Sequence, residues 1–313
     1  MGGARTLGKS PSSSLKRRGL VLKSAIIVVS VLFAGLAILL LSGAFRWNAG
    51  TKDLRTRLHA ARRPIRPFSI HSDDFTALPA PVKRYLRLAL ADGLPIAAAV
   101  RIRHHGQFNM SDSAERWKPF TSDELVITQR PGFDWDARVA MAPGLAVRVH
   151  DAYVAGEGVL HAAVLGLFTV ADLRGAGQIA EGELLRFLAE AAWYPTALLP
   201  SQGVRWEEID ERSARATLID GSVSATLIFE FDEEGLIDNV RAEARGRVVG
   251  DQIVPTPWRG RFWNYQKKDG MLIPLDGEVA WLLPEGEKTY WRGHIVEITY
   301  EPPAELSERS GNR

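Results

Sequence analysis

Hydrophobic positions follow three different periods along the chain. From Ser24 to Phe45 they are nearly continuous, 22 residues without one charge. At about 1.5 Å per residue a helix of that length reaches roughly 30 Å, the depth of a bilayer's hydrocarbon, and predicts a transmembrane helix over 24–45 with Trp47 at headgroup level beyond it. A 3.6-residue period then recurs twice. Pro81 opens a helix over Leu78–Leu90 whose apolar stripe is Val82, Tyr85, Leu86 and Ala89. Leu184, Phe187, Leu188, Ala191 and Ala192 make a second helix over 181–199, stopped or kinked at Pro195.

Elsewhere the period is two. Val100, Ile102 and His104 alternate with Arg101, Arg103 and His105, and Phe133, Trp135, Ala137 and Val139 alternate with Asp134, Asp136 and Arg138. Turn pairs at Pro131-Gly132, Pro143-Gly144, Asp220-Gly221, Glu234-Gly235, Asp269-Gly270 and Glu285-Gly286 punctuate the rest. The pattern predicts strands at Val204–Ile209, Ala214–Ile219, Val223–Phe231, Leu236–Val248, Trp258–Tyr265, Leu272–Leu283 and Thr289–Tyr300. The fold class is α+β, mainly β: one curved antiparallel sheet, a half-barrel, wrapped around the 181–199 helix. The expected divisions are a basic cytoplasmic tail (1–23), the membrane helix (24–45), a basic linker (46–74), the β-rich domain (75–301) and a disordered tail (302–313).

One hairpin is readable in more detail. Pairing Leu236–Val248 with Trp258–Tyr265 about a loop at Asp251–Pro255 places residues summing to about 506 opposite each other. Arg241, Glu243, Arg245 and Arg247 then share a face with Arg259, Arg261, Trp263 and Tyr265. Gly246 faces Gly260 on the other side, a dent for Trp193 or Phe187.

Charge divides the chain. Residues 1–66 hold 13 of the 39 Lys and Arg against the single acid Asp53, and the remainder holds 26 basic and 36 acidic groups. An acidic body repels phosphate backbones, which excludes nucleic acid as a partner. Lys16, Arg17, Arg18 and Lys23 outnumber Arg46 and Lys52 next to the apolar run, which favours an inside amino terminus and an extracytoplasmic domain in the cell membrane. Ser42-Gly43-Ala44 also suits a signal-peptide cleavage site, although the apolar run is longer than the ~7–15 residues usual there. The chain has no cysteine, so disulfides and thiolate ligands are excluded.

Candidate chemistry is sparse. The face bearing Arg241, Arg245, Arg259, Arg261 and Tyr265 suits a phosphate or carboxylate, or else is a solvated surface paired with acids such as Glu230. Arg186 and Glu190 stand at i and i+4, one turn after Glu183, either as a pocket-lining pair or as a plain helix-surface ion pair. His150, Asp151, Asp134 and Asp136 form the one acid–base grouping with enzyme-like composition. His104 and His105 point to opposite strand faces and cannot hold one metal from the same side. HExxH, GxSxG and P-loop spacings are absent, and neither cofactor nor metal is expected.

The run Leu185-Arg186-Phe187-Leu188-Ala189-Glu190-Ala191-Ala192-Trp193-Tyr194-Pro195-Thr196-Ala197-Leu198-Leu199-Pro200 resembles the central signature of an uncharacterised bacterial family, domain of unknown function 6544. The resemblance continues through Trp206, Thr256–Gly260, Tyr265, Gly270, Ile273-Pro274, Trp281 and Tyr300, and covers residues 75–301. It implies no activity. The architecture is also similar, more loosely, to the half-barrels of envelope lipoprotein carriers. The resulting expectation is a membrane-tethered binding module for a lipid or other amphipath, with Arg186, Glu190, Trp193 and Tyr194 or the arginine face at its site. The rivals are an envelope scaffold and a hydrolase-type enzyme near His150 and Asp151.

Overall fold

The computed structural model describes residues 11–64, 69–111, 114–250 and 252–303, with side chains from Leu22 onward. The extreme amino terminus, Pro67 of the expected linker, Asp251 of the expected loop and the expected disordered tail beyond residue 303 lie outside the described residues.

A long helix, α1 (Pro11–Ala60), and a short one, α2 (Ala80–Ala89), precede six strands: β1 (Ala99–Asn109), β2 (Trp117–Ile127), β3 (Gly132–Ala142), β4 (Leu145–Val154), β5 (Glu157–Val164) and β6 (Phe168–Gly175). Helix α3 (Gln178–Glu190) leads into β7 (Arg205–Asp210), β8 (Ser213–Asp220), β9 (Val223–Phe231), β10 (Ile237–Val249), β11 (Gln252–Lys268), β12 (Met271–Leu283) and β13 (Gly286–Glu301). Every strand pairing is antiparallel, and β1 pairs with β13, fusing both meanders into one sheet of order β6-β5-β4-β3-β2-β1-β13-β12-β11-β10-β9-β8-β7. The fold is mainly antiparallel sheet, open and curved. It curls around α3, which packs against β9 and β10 on one side and β4 and β5 on the other. At one end the two halves are fastened: Arg130 Nε and Tyr153 Oη both donate to the Asp220 carboxylate at 3.0 Å.

Local chemistry sets where the helices end. Val82, Tyr85, Leu86 and Ala89 form the buried stripe of α2, as the period requires. Leu90 already turns extended and bridges to Met271. Helix α3 stops at Glu190, nine residues short of the expected end. Pro195 supplies no N–H and bars the α region to Tyr194, so the chain continues as two short 3-10 turns, Pro195–Leu198 and Pro200–Gln202. Tyr194 Oη donates to Phe187 O at 2.8 Å, giving one carbonyl of the last helical turn a partner.

The segment read as a linker is helical to Ala60 and packed. Residues 22–42 of α1 are exposed and apolar, long enough to cross a membrane. From Gly43 the same helix lies on the outer face of the sheet. A Cβ at Gly43 would stand 2.5 Å from Leu165 O, and one at Gly166 2.8 Å from Gly43 O, so both glycines permit the contact with the β5–β6 turn. Leu54 and Leu58 complete a second, small core with Ala99, Leu125, Ile127, Ala152, Val154 and Val159. Trp47, just beyond the apolar run, is 4% exposed and covered by the sheet.

The β10–β11 hairpin corrects the expected register. Asn239 to Ala242 pair with Arg261 to Trp258 at a sum of 500, and Arg245 to Val249 pair with Thr256 to Gln252 at 501, around a bulge between Ala242 and Arg245. Val254 and Pro255 therefore lie in the strand, and Gly246 faces Pro255 while Gly260 faces Val240. The expected dent is absent: the space above Gly260 is taken by Trp258 and Val240, each 3.2 Å from where its Cβ would be. The bulge also reverses the side on which the following residues emerge.

Candidate functional site

Between α3 and the concave face of the sheet lies a cavity of about 480 Å³, within the ~300–1,000 Å³ usual for small-molecule sites. Its floor comes from alternation on β3 to β6, where Val139, Val147, Val149, Ala162 and Ala171 keep the surface apolar and small. Trp135, Trp193, Trp258, Trp281 and Trp291 supply aromatic walls. Ile179, Glu183, Arg186, Glu190 and Trp193 reach it from α3 and its terminal turn at spacings of three and four. Met110, Val170 and Val248 line the cavity while remaining exposed, which places its mouth between the β1–β2 turn, β6 and the β10–β11 hairpin.

The polar end is a row across the sheet with a guanidinium above it. Glu124 on β2 lies opposite Trp135 on β3, which lies opposite Asp151 on β4. Over this row Arg186 donates through Nε to Glu190 Oε1 at 2.7 Å and through Nη1 to Asp151 Oδ2 at 2.5 Å, with Nη2 3.7 Å from Glu124 Oε1. Its Cζ sits 4.9 Å from the Phe133 ring centroid and 5.0 Å from that of Trp135. Burial by itself lowers the Arg186 pKa, but Glu190, Asp151 and Glu124 more than reverse that and hold it well above the usual guanidinium value. Burial, then the Glu190 charge, pushes Glu124 well up; burial, then the Asp151 charge, does the same to Glu183. Each raised carboxyl lies in hydrogen-bonding contact with its neighbour, Glu124 with Glu190 and Glu183 with Asp151. Such contacts hold when one acid of each pair keeps its proton.

The structure divides the residues expected at the site. Arg186, Glu190 and Trp193 line the cavity, and Tyr194 closes the α3 turn behind it. Arg245 joins them because the bulge turns it inward: its Cζ is 5.2 Å from the Trp258 ring centroid and its Nη1 3.4 Å from Tyr290 Oη. Arg241, Arg259 and Arg261 stay outside with acidic neighbours, Arg241 with Glu230, Arg259 with Glu287 at 2.6 Å and Arg261 with Glu278 at 3.6 Å. Tyr265 donates to Ile237 O at 2.7 Å, and its burial raises its pKa well above the usual phenol value. The arginine face is thus a paired surface, and such pairs contribute little.

The enzyme-like grouping also divides. Asp151 faces the cavity, whereas Asp134, Asp136 and His150 face the opposite side under α1. There His150 Nδ1 is 2.8 Å from Asp134 Oδ1 and its Nε2 3.1 Å from Thr51 Oγ1, while Trp47 Nε1 and Thr51 Oγ1 donate to Asp136 at 2.9 Å. Arg55 Nε meets Asp134 Oδ2 at 2.9 Å. This cluster fastens α1 to the sheet, and the Trp47 ring seals it.

Glu124 escaped the sequence reading, although a signal was present. It occupies an inward position of the alternation Phe120, Ser122, Glu124, Val126, where a carboxylate interrupts an otherwise uncharged row. The inward side of Arg245 was hidden by the bulge, which no local pattern announces, whereas Trp258 lies on the apolar face of the hairpin that the alternation gives it.

The chain belongs to a family of unknown function, DUF6920, whose model matches residues 76–300. The unknown-function character and the extent agree with the resemblance read from the helix motif; the family number is 6920, where 6544 was expected. No curated protein matches the chain. Solved structures similar to it include the LolA superfamily protein NE2245 from Nitrosomonas europaea, at 13% identity over 72% of this chain and 94% of that one, with a TM-score of 0.33. Another is a beta-barrel-like protein of the DUF1849 domain from Brucella abortus, at 11% identity over 66% of this chain and 100% of that one, with a TM-score of 0.19.

Proposed function

We propose that this member of the DUF6920 family is a membrane-tethered binding module for a lipid or other amphipathic ligand, with its domain outside the cytoplasm. The observation that carries this reading is the cavity, whose long apolar floor ends in the Arg186 cluster. An acyl chain suits the Val and Ala rows, and a polar head suits the buried end. The mouth supports delivery from the bilayer. Val170 on its rim is three residues, roughly 10 Å of strand, from Leu167, which packs at the Gly43 position where α1 meets the sheet. A ligand leaving the membrane beside α1 would therefore travel a short path, and tethering keeps its local concentration high.

The test is native mass spectrometry with lipid extraction on the full chain purified in mild detergent. One amphipath per chain is expected, and Ala171→Trp, which fills the cavity from an edge strand, should remove it. A wild-type chain free of bound amphipath would overturn the reading.

A further inference from the structure

We propose that Arg138 and Arg148 form a site for the phosphate of an anionic lipid headgroup, on the outer face of the sheet where α1 leaves it. The proposal rests on α1 crossing the bilayer and is independent of the cavity, which lies on the other face of the sheet.

Arg138 on β3 and Arg148 on β4 stand directly opposite each other in the register. Each lies two residues along its strand from Asp136 or His150 and so shares their outer face. Arg138 is exposed and Arg148 half-buried, and among the described residues neither has a hydrogen bond, an acid or a ring as partner. Arg101 and Arg103, on the same face of β1, are matched with Glu301 and Glu297. Like charges facing each other across two strands destabilise the pairing, so the two guanidiniums call for an anion between them. The acids nearest on this face are already committed: Asp136 accepts from Trp47 and Thr51, and Asp123 meets Arg55. Continuing the cross-strand row, β2 supplies the exposed Thr121 and β1 supplies His105. The first carboxylate of that row, Asp276 on β12, is taken by His294 and Asn264.

Position names the source of the anion. Trp47 stacks on His150, and Thr51 Oγ1 is 3.1 Å from His150 Nε2, so His150 is level with the helical turn between those two residues. From there β4 runs beside α1 towards Gly43, which meets Leu165, the residue whose N–H donates to Ala146 O. Arg148 is two strand residues nearer that end, roughly 7 Å or about four to five residues of helix, and so is level with Phe45, the last of the charge-free run. Where the apolar run ends, the hydrocarbon gives way to headgroups. One step nearer the membrane, β3 and β4 carry only Ala140 and Ala146 on this face, opposite each other, so the approach from the bilayer is short and uncharged. Two guanidiniums can then hold one phosphate through parallel N–H donors, with the Thr121 hydroxyl beside Arg138.

The experiment first reconstitutes the full chain in phosphatidylcholine nanodiscs, which checks that α1 inserts. Phosphatidylglycerol and phosphatidylcholine are then titrated onto the detergent-solubilised chain, and bound lipid is read by native mass spectrometry. One phosphatidylglycerol should bind about tenfold more tightly than phosphatidylcholine. Arg138→Gln combined with Arg148→Gln, its urea midpoint unchanged, should bring the two lipids to parity. Arg241→Gln combined with Arg259→Gln removes the same charge from the paired arginine surface and should keep the preference, as should Ala171→Trp, which fills the cavity. Equal affinity for the two lipids in the wild type, or a preference that survives loss of Arg138 and Arg148, overturns the proposal and leaves the cavity reading standing. Displacement of the lipid by an equal concentration of glycerol phosphate would mean that the site takes a soluble phosphate, and the lipid assignment is wrong. A chain that does not enter nanodiscs overturns the membrane reading of α1 and this proposal with it.

Discussion

The indole of Trp47 lies on the imidazole of His150, ring centroids 4.4 Å apart and planes 11° from parallel. The contact joins the apolar helix to the sheet: one helix is long and apolar enough to cross a bilayer and also covers the outer face of β2 to β5. Trp47→Ala would remove that ring, its hydrogen bond to Asp136 and its packing on His161. The expected loss is about 3–5 kcal/mol in urea unfolding of the detergent-solubilised chain. Gly43→Val should weaken the same interface, because its side chain meets Leu165 O. Unchanged midpoints in both variants would mean that α1 does not dock.

His104 and the raised carboxyls draw stability in opposite directions with pH. Burial, aided by the Arg186 charge, holds His104 at about 3, against 6.5 in an unfolded chain. The unfolded state takes up a proton between those values and the folded state does not, so stability is lost as pH falls from about 6.5 towards 3. Glu124 and Glu183 are raised, so their contribution is complete below about 4.3 and is lost as pH rises through their folded values. Between about pH 4.5 and 6.5 the two carboxyls lose more than the one imidazole gains, so for these three groups the optimum lies near pH 4.5. Urea midpoints across pH should show it, with His104→Phe flattening the acid limb and Glu124→Gln and Glu183→Gln the other. An acid limb that survives in His104→Phe sinks the first assignment.

The sheet was legible because its alternation is nearly unbroken. Phe133, Trp135, Ala137 and Val139 point inward as the period of two demands, and β9 has the predicted bounds. The site was legible only in part. Arg186, Glu190 and Trp193 share a helical face, which local spacing reveals, but their partners Glu124 and Asp151 come from strands 62 and 35 residues earlier and are set by pairing. The arginine face failed for a similar reason: one bulge changes the sum from 500 to 501 and moves Arg245 from the outer row to the cavity. The packed continuation of α1 was obscured by its own charges, since Arg55 and Arg57 read as a solvated linker until Asp134 and Glu157 are placed opposite them.

Arg186 holds three carboxyls in a site that is only 13% exposed on its side. Arg186→Leu leaves them without a cation and should cost about 3–5 kcal/mol at neutral pH. The loss should shrink at low pH, where the acids are protonated. Arg186→Lys should recover little, because a point charge cannot reach Glu190, Asp151 and Glu124 together or lie flat between Phe133 and Trp135. The measurement is chemical unfolding at two pH values. A loss that is equal at both would show that shape, not charge, is what the side chain supplies.

Phe168 and Val170 are each 61% exposed on β6, just past the turn that holds Gly43. Two large apolar side chains next to the end of a membrane-length helix should lie in the headgroup region rather than in water. The absence of cysteine makes this directly measurable, because Phe168→Cys creates a single labelling site. A fluorophore there should be quenched by lipids carrying a nitroxide near the headgroup. The same label at Glu233→Cys, on the turn before β10 and 87% exposed at its side chain, should not be quenched. Equal quenching at both positions would mean the label reports proximity to the nanodisc in general. No quenching at Phe168 would place the cavity mouth away from the bilayer, and a ligand would then have to arrive through water or from a partner protein.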